Sequence, residues 1–315
     1  MSDEEEIMYA LVFNQLMTMF IIGIGGFVFA KIFKVDNEQQ KFLSKFLLYF
    51  INPSIILNSF NLEFDAAMLK QLIFVAFISL IIHVVMIFTG LLSSKNHIDR
   101  LGIVFTNCGF IGIPLIRGVF GNIGVFYLMG YLVVFNILLW TYGYYQMSGS
   151  VNFKKIITNP NIICIILGMI IFCMPFTLPK TIERPLSMIA DLNTATSMVL
   201  IGILLAGFKP KESKRYIPQL ARFTICRLAV TAIINIVVLF CIYKIFYNFE
   251  NIGNLQLMLF VVLICSICPA GTSISSMSVV FNKDATYASL AVSFTSLFCI
   301  FSIPAFVALA EKIIK

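Results

Sequence analysis

Ten long apolar runs, joined by short polar connections, constrain the fold of this 315-residue chain more than any other feature. As a helix, about 20 consecutive apolar residues cross the roughly 30 Å hydrocarbon core of a bilayer. The runs cover residues 7–30, 42–60, 69–92, 101–120, 123–147, 161–178, 186–208, 217–247, 255–281 and 286–310. Helices satisfy their own backbone N–H and C=O groups in lipid, whereas open loops do not. The sequence therefore predicts an all-α polytopic membrane protein with ten transmembrane helices.

The composition excludes several other classes of protein. Hydrophobic residues make up 60% of the chain and charged residues only 12%, whereas soluble domains are near half apolar and a quarter charged. The net charge is +7, but no polar segment is long enough to form a basic soluble face, so we expect no nucleic-acid partner. The lipid bilayer is the expected environment, and no extramembrane domain fits between the runs.

The distribution of Lys and Arg predicts the orientation. If the N-terminus lies outside, 14 of the 22 basic residues fall in or near inner loops and six lie on the outer side. Because basic residues near span ends favour the cytoplasmic side, we expect both termini outside. The prediction is a multi-pass protein of the cell membrane.

The ten runs divide into two groups of five, which predicts residues 1–148 as a first repeat, 149–158 as a short inner linker and 159–315 as a second repeat. Five spans in a repeat force the next repeat to enter the membrane upside down, as in many secondary transporters. The fourth run of each half carries proline and glycine at mid-depth. We therefore predict two inverted five-helix repeats in which helices 4 and 9 are broken and cross.

Each predicted break is rich in residues that expose backbone donors. The candidate substrate-binding residues are Gly109, Gly112 and Pro114 in the first break and Pro269, Gly271, Thr272 and Ser273 in the second. Proline removes an N–H donor and clashes with the preceding turn, so both helices should open there. The second segment of an opened helix begins with unpaired N–H groups and a positive dipole end, which suits an anion. Ordinary proline kinks are the alternative.

Three ionisable side chains inside the runs are candidates for anion attraction or ion coupling, because intramembrane charges are costly. Arg117 can pair with a carboxylate or extend to the outer surface. Asp191 can take up a proton, bind a cation or cap a helix start. His83 can relay protons or form a structural hydrogen bond. Arg227 is expected to reach the inner surface or to pair locally, and Cys265-x-x-Cys268 lacks the companions of a metal site, so no metal is predicted.

Five stretches, spread over nearly the whole chain, resemble the auxin efflux carrier family, whose bacterial members include malate or malonate permeases. They are KFLLYFINPSIILN (45–58), NCGFIGIPLIRGVFG (107–121), NPNIICIILG (159–168), residues 195–207 and residues 269–284. The resemblance implies a scaffold of helices 1, 2, 6 and 7 and a moving core of helices 3–5 and 8–10. It also implies elevator-type transport of organic anions, a homodimer formed through the scaffold, and kinship in fold with plant auxin carriers and bile acid/sodium symporters.

The resemblance also suggests individual site residues. The family has a polar site at the crossover, so we expect the Asn107 amide to contact substrate, with a helix–helix hydrogen bond as the alternative. Asn52 and Pro53 form a third proline break, in the second run, where the family has scaffold surface lining the site.

The main functional hypothesis is a secondary transporter of a small organic anion, a mono- or dicarboxylate, without a cofactor. No nucleotide-binding G-x-x-x-x-G-K-[ST] motif occurs, so the energy would come from a proton or sodium gradient or from the substrate's own gradient. An intramembrane enzyme using Asp191 or His83 is disfavoured, since no paired carboxylates or clustered metal ligands accompany them. A non-transporting sensor, or a ligand- or lipid-binding protein on a transporter fold, is the remaining alternative.

Overall fold

The computed structural model describes residues 3–150, 154, 157–174, 177–207, 214–247 and 253–314. Within these residues the regular structure is helical, apart from one isolated β-bridge between Thr106 and Ala270. A helical membrane protein is the expected result for a chain whose apolar runs must satisfy their own backbone groups.

The helices are numbered by the predicted spans to which they correspond. They are α1 (Asp3–Phe33), α2 (Asn37–Phe46, Leu47–Ile51 and Asn52–Ser59), α3 (Ala66–Ser93), α4a (His97–Val104), α4b and α5 (Cys108–Gly112, Ile113–Leu138, Leu139–Gly143 and Tyr144–Ser148), α6 (Pro160–Phe172), α7 (Lys180–Ala206), α8 (Lys214–Tyr216, Ile217–Ile225, Cys226–Val230 and Thr231–Phe246), α9a (Leu255–Ile267), α9b (Thr272–Val280) and α10 (Ala285–Ile313). Gly121 separates α4b from α5 because its φ of 64° and ψ of −156° are not helical.

Six of these helical segments are long and apolar enough to cross a bilayer: Ala10–Phe33, Ala66–Ser93, Cys108–Ser148, Lys180–Ala206, Lys214–Phe246 and Ala285–Ile313. Two shorter apolar helices, Pro160–Phe172 and Leu255–Ile267, accompany them. The prediction of a polytopic helical membrane protein is therefore confirmed. The helix α6 ends at Phe172, before the predicted end of its run at residue 178.

The helix contacts include two groups, which also touch each other where α1 lies against α10. In one group α1 lies along α7, while α7 and α6 both contact α2. In the other, α3 packs on α5, α9a on α8 and α9b on α10. The contact between α1 and α7 is close because of glycine: a Cβ on Gly26 would lie 2.5 Å from the Val199 carbonyl oxygen, and one on Gly202 would overlap the Gly23 carbonyl.

The second predicted break is present, and the first is displaced. Between α9a and α9b the chain leaves the helix at Cys268–Gly271, around Pro269. In the first half the chain opens at residues 105–107, between α4a and α4b, and not at Gly109–Pro114 as predicted.

The displacement has a local cause. Pro114 lies inside the continuous helix that begins at Cys108, so the turn before it must accommodate both the missing N–H and the proline ring. The preceding turn, Cys108–Gly112, is a wider π-helical turn that accommodates the proline ring. The helix can therefore continue through Pro114, and the opening lies before Cys108.

Candidate functional site

The two breaks cross and pair with each other through the backbone. The Asn107 N–H donates to the Pro269 carbonyl at 2.7 Å, and the Gly271 N–H donates to the Phe105 carbonyl at 2.9 Å. This antiparallel pair, called the crossover below, comprises residues 105–107 and 268–271. Backbone groups opened at this depth need protein partners, and here each break supplies them to the other.

Gly271 makes this close approach possible. A Cβ at this position would lie 2.8 Å from the Thr106 carbonyl oxygen and 3.1 Å from that of Phe105. Both atoms belong to the backbone of the opposite break, so a side chain here would push the two breaks apart.

Two helices begin at the crossover, and neither has a side-chain cap. Asn107 is the N-cap residue of α4b and Gly271 that of α9b. The first N–H groups of a helix have no partner within the helix, and they carry the positive end of its dipole. Two uncapped N-termini at one place form a site that favours a ligand rich in hydrogen-bond acceptors.

The Asn107 side chain adds a donor. Asn107 is only 4% exposed, and its Nδ2 has no hydrogen-bond partner within the part of the chain that the structure describes. A buried amide without a partner is costly, so a ligand that accepts from Nδ2 would be stabilised. The expected helix–helix hydrogen bond from this amide nitrogen is therefore not present.

The other predicted crossover residues differ in access. Gly112, Pro114, Pro269 and Gly271 are buried, whereas Gly109, Thr272 and Ser273 are partly exposed. A Cβ on Gly109 would meet no atom within 4 Å, so open space lies beside the first turn of α4b. The crossover thus has a buried floor and a partly open rim.

An arginine that sequence reasoning did not assign to the site supports this floor. Arg227 lies in the π-helical turn Cys226–Val230 of α8 and is fully buried, so the expected extension to the inner surface is wrong. Its Nη2 donates to the Ser266 carbonyl at 2.6 Å and also to the Cys268 carbonyl, at the C-terminal end of α9a. Its partners are backbone atoms about 40 positions away, which no motif around Arg227 reveals.

The predicted residues Arg117 and Asp191 bind each other. Arg117 of α4b donates Nη2 to Asp191 Oδ1 of α7 at 2.7 Å, with side chains 19% and 64% exposed. Asp191 does not cap a helix start, because α7 begins at Lys180, about three turns earlier. The two charges link α4b to α7 outside the crossover.

His83 of α3 is fully buried and hydrogen-bonded within its own helix. Its Nδ1 lies 2.7 Å from the Ser79 carbonyl, and its ring lies 4.8 Å from the Tyr131 ring and 6.1 Å from that of Phe135. Its Nε2 has no hydrogen-bond partner within the described residues. The geometry contains the structural hydrogen bond that the sequence analysis gave as the alternative to a proton relay.

Asn52 and Pro53 lie in α2, at the start of Asn52–Ser59, and are not part of the crossover pairing. Asn52 is buried, and its Oδ1 accepts from Asn193 Nδ2 of α7 at 3.0 Å. This bond joins two helices of the first packing group.

A second polar network, not predicted from sequence, surrounds Asp99 of α4a. Asp99 is 2% exposed; its carboxylate accepts from Ser94 Oγ at 2.8 Å and from Tyr287 Oη at 2.5 Å, and Arg222 Nη2 lies 3.8 Å away. A cavity of about 230 Å³ adjoins it. The network ties α4a to α8 and α10.

An apolar cavity of about 340 Å³ lies between α1, α7 and α10, next to α4b. Ile111 contributes to its wall from α4b, and Ser293 and Ser296 are its polar lining residues. The cavity reaches the helix that begins at Asn107, although none of the predicted site residues lines it. Among the described residues there is no group of three or more His, Cys, Asp or Glu side chains able to hold a metal ion.

These features define the class of the protein: a polytopic helical membrane protein with two interrupted, crossing helices, as secondary transporters have. The chain belongs to the membrane transport protein family, whose model matches residues 11–152 and 146–307. This is the auxin efflux carrier family that the sequence motifs resemble, and its members are transporters rather than enzymes. A comparison with curated proteins found no match.

Proposed function

We propose that this chain is a secondary transporter of small organic anions, in particular mono- and dicarboxylates, and not an enzyme. The observation that carries the proposal is the crossover, where two uncapped helix N-termini meet beside the unpartnered Asn107 Nδ2. A carboxylate supplies the acceptors and the negative charge that these groups lack. Gly109, Thr272 and Ser273 would contact it from the rim, while Gly112, Pro114, Pro269 and Gly271 shape the floor.

The proposed architecture is ten transmembrane helices in two inverted repeats. The helical segments at the ten predicted positions support it, as do the two family matches, which meet at residues 146–152 beside the predicted linker. The packing groups support a scaffold of α1, α2, α6 and α7 and a moving core of α3–α5 and α8–α10. Movement of the core past the scaffold would carry the crossover and its substrate across the membrane.

The Arg117–Asp191 ion pair joins these two bodies, since α4b belongs to the core and α7 to the scaffold. The Asn52–Asn193 bond lies within the scaffold and would stay intact during the movement. In this proposal Arg117 and Asp191 hold one end position of the core, and Asn52 and Pro53 present scaffold surface to it. The homodimer would form through the scaffold, and both termini would lie outside the cell membrane.

Flux into liposomes containing the purified protein tests the proposal. A panel of labelled mono- and dicarboxylates is supplied to wild type, to Asn107→Ala and to Asn107→Asp. We expect uptake of at least one acid by wild type, reduced uptake by N107A and the strongest loss in N107D, whose carboxylate repels an anion.

Asn136→Ala is the matched control, because Asn136 is a buried asparagine of α5 that donates to the Leu132 carbonyl and accepts from Asn159 Nδ2, and it is not one of the crossover residues. Its uptake should resemble that of wild type in properly folded protein. The proposal would be contradicted if wild type took up none of the acids, or if N107A and N107D took up the acids as fast as wild type. Ligand binding without uptake would favour the sensor.

The energy source is tested in the same liposomes with imposed proton and sodium gradients. Uptake that rises with one inward gradient identifies that ion as the coupled one. Uptake that follows only the substrate gradient identifies a uniporter. His83 is the candidate proton site, and His83→Gln should leave a proton dependence unchanged if the ring is only structural.

A further inference from the structure

We infer that Arg227 sets the preference of the crossover for anions, as a positioning residue whose fixed positive charge acts on the substrate from beneath. This inference rests on the proposed function and adds the residue that determines substrate charge. The Arg227 guanidinium is fully buried in a membrane protein, and burial of a charge there costs free energy.

No acidic side chain neutralises this charge within the described residues. Ion pairs there join Arg117 to Asp191 and Arg222 to Asp99, and neither includes Arg227. The titratable side chains near Arg227 include His83, Tyr131 and the cysteines at positions 108, 226 and 268, but no carboxylate. Nε and Nη1 of Arg227 have no hydrogen-bond partner in the described part of the chain. The positive charge is therefore available to act on a ligand.

The position of the guanidinium decides which charges at the crossover are compensated. Nη2 covers the Ser266 and Cys268 carbonyls, which carry the negative dipole end of α9a. The positive ends of α4b and α9b, which begin at Cys108 and Thr272, have no side-chain cap from the residues that the structure describes. Arg227 thus neutralises the negative dipole end of α9a. The positive dipole ends of α4b and α9b stay uncompensated in the described part of the chain.

The Arg227 guanidinium also lies close enough to the crossover to affect binding there. Cys268, whose carbonyl Arg227 binds, directly precedes Pro269, whose carbonyl accepts from the Asn107 N–H. Two unit charges about 10 Å apart, at an effective dielectric constant of about 20, change a binding constant roughly tenfold. Removal of the charge should shift the preference between an acid and its uncharged amide by about that factor.

The test compares acids with their amides. Uptake and thermal stabilisation are measured for a panel of carboxylates, each paired with the corresponding amide, in wild type, Arg227→Gln and Arg227→Lys. R227Q can still donate to the carbonyls without a charge, and R227K keeps the charge. We expect the ratio of acid to amide binding to fall about tenfold in R227Q and to stay within threefold of wild type in R227K.

Arg222→Gln is the matched control, since it removes a positive charge from the same helix at a side chain that is 66% exposed. Its acid-to-amide ratio should match that of wild type. If R227Q cannot be purified as a folded protein, R227K decides, and an R227K protein that folds but loses the preference for acids overturns the inference.

The two proposals fail differently. If wild type carries or binds no acid better than its amide, the proposed function fails, and the inference with it. If wild type prefers acids and R227Q keeps the same ratio, only the role of Arg227 is overturned.

Discussion

Gly271→Ala is the sharpest perturbation of the crossover, because it adds one methyl group between two backbones. That carbon would lie 2.8 Å from the Thr106 oxygen and 3.1 Å from the Phe105 oxygen, and neither atom can rotate away. Overpacking of this kind costs about 1–3 kcal/mol. If the breaks separate, the hydrogen bonds at 2.7 and 2.9 Å are also lost, at about 0.5–1.5 kcal/mol each. We expect a total destabilisation of roughly 2–6 kcal/mol.

The assay is thermal unfolding in detergent together with liposome uptake. A loss of this size should lower the unfolding temperature of a 315-residue chain by roughly 3–9 °C, and uptake should fall even in protein that remains folded. Gly109→Ala adds the same methyl group at the other break, where no atom lies within 4 Å, and Gly25→Ala does so in α1 with equal space. Both controls should unfold within about 2 °C of wild type or slightly above it.

A G271A protein that unfolds like these controls and transports at the wild-type rate would refute the reasoning. It would mean that the two breaks do not need their close backbone contact, and that the crossover is not a rigid binding element. A G271A protein that is stable but shows no uptake would mean that transport, rather than stability, depends on this contact.

Three further predictions follow from other contacts. A double-mutant cycle of Arg117→Gln and Asp191→Asn should give a coupling energy of only about 0.2–1 kcal/mol in thermal unfolding, because the pair is partly exposed; a coupling above 2 kcal/mol would contradict this. Gly202→Ala should cost about 1–3 kcal/mol, since its Cβ would overlap the Gly23 carbonyl and separate α1 from α7, and unchanged stability would argue against their close packing. A membrane-impermeant maleimide added outside intact cells should label the exposed Cys173, and labelling from the inner side alone would refute the orientation with both termini outside.

The sequence predicts elements whose cause is local. The helices follow from the apolar runs because lipid leaves the backbone no other partner. The second break was predicted at the correct place, since Pro269 lacks an N–H and Gly271 permits close contact. The first break was misplaced because the π-helical turn Cys108–Gly112 accommodates Pro114 and lets the helix continue through it. The opening lies where residues 105–107 pair with a segment more than 160 positions away, and such pairing leaves no local signal.

Lone polar residues were harder to assign for the same reason. Arg227 binds carbonyls about 40 positions away, and Asp99 accepts from Tyr287 across 188 positions. Asp99 lies in the first turn of α4a, just before an apolar run, so the sequence pattern places it in a polar connection. Arg117 and Asp191 were singled out separately, but their ion pair could not be predicted from positions on two different helices. What the sequence did indicate is that charges inside apolar runs need partners.

The hydrogen-bond donors and acceptors that are left free at the crossover determine which substrate charge it favours. Each break opens both N–H and C=O groups, and the crossover pairs one N–H from each side with a carbonyl of the other. Arg227 then covers two further carbonyls, whereas the Asn107 amide nitrogen and the Thr106 hydroxyl find no partner among the described residues, and the two N-termini have no side-chain cap. A cation such as sodium needs the reverse arrangement, with several free oxygen ligands around it. The Ser266 and Cys268 carbonyls therefore cannot hold a coupling ion while Arg227 is in place. If transport depends on sodium, R227K should keep that dependence, because the sodium site must lie elsewhere in the protein.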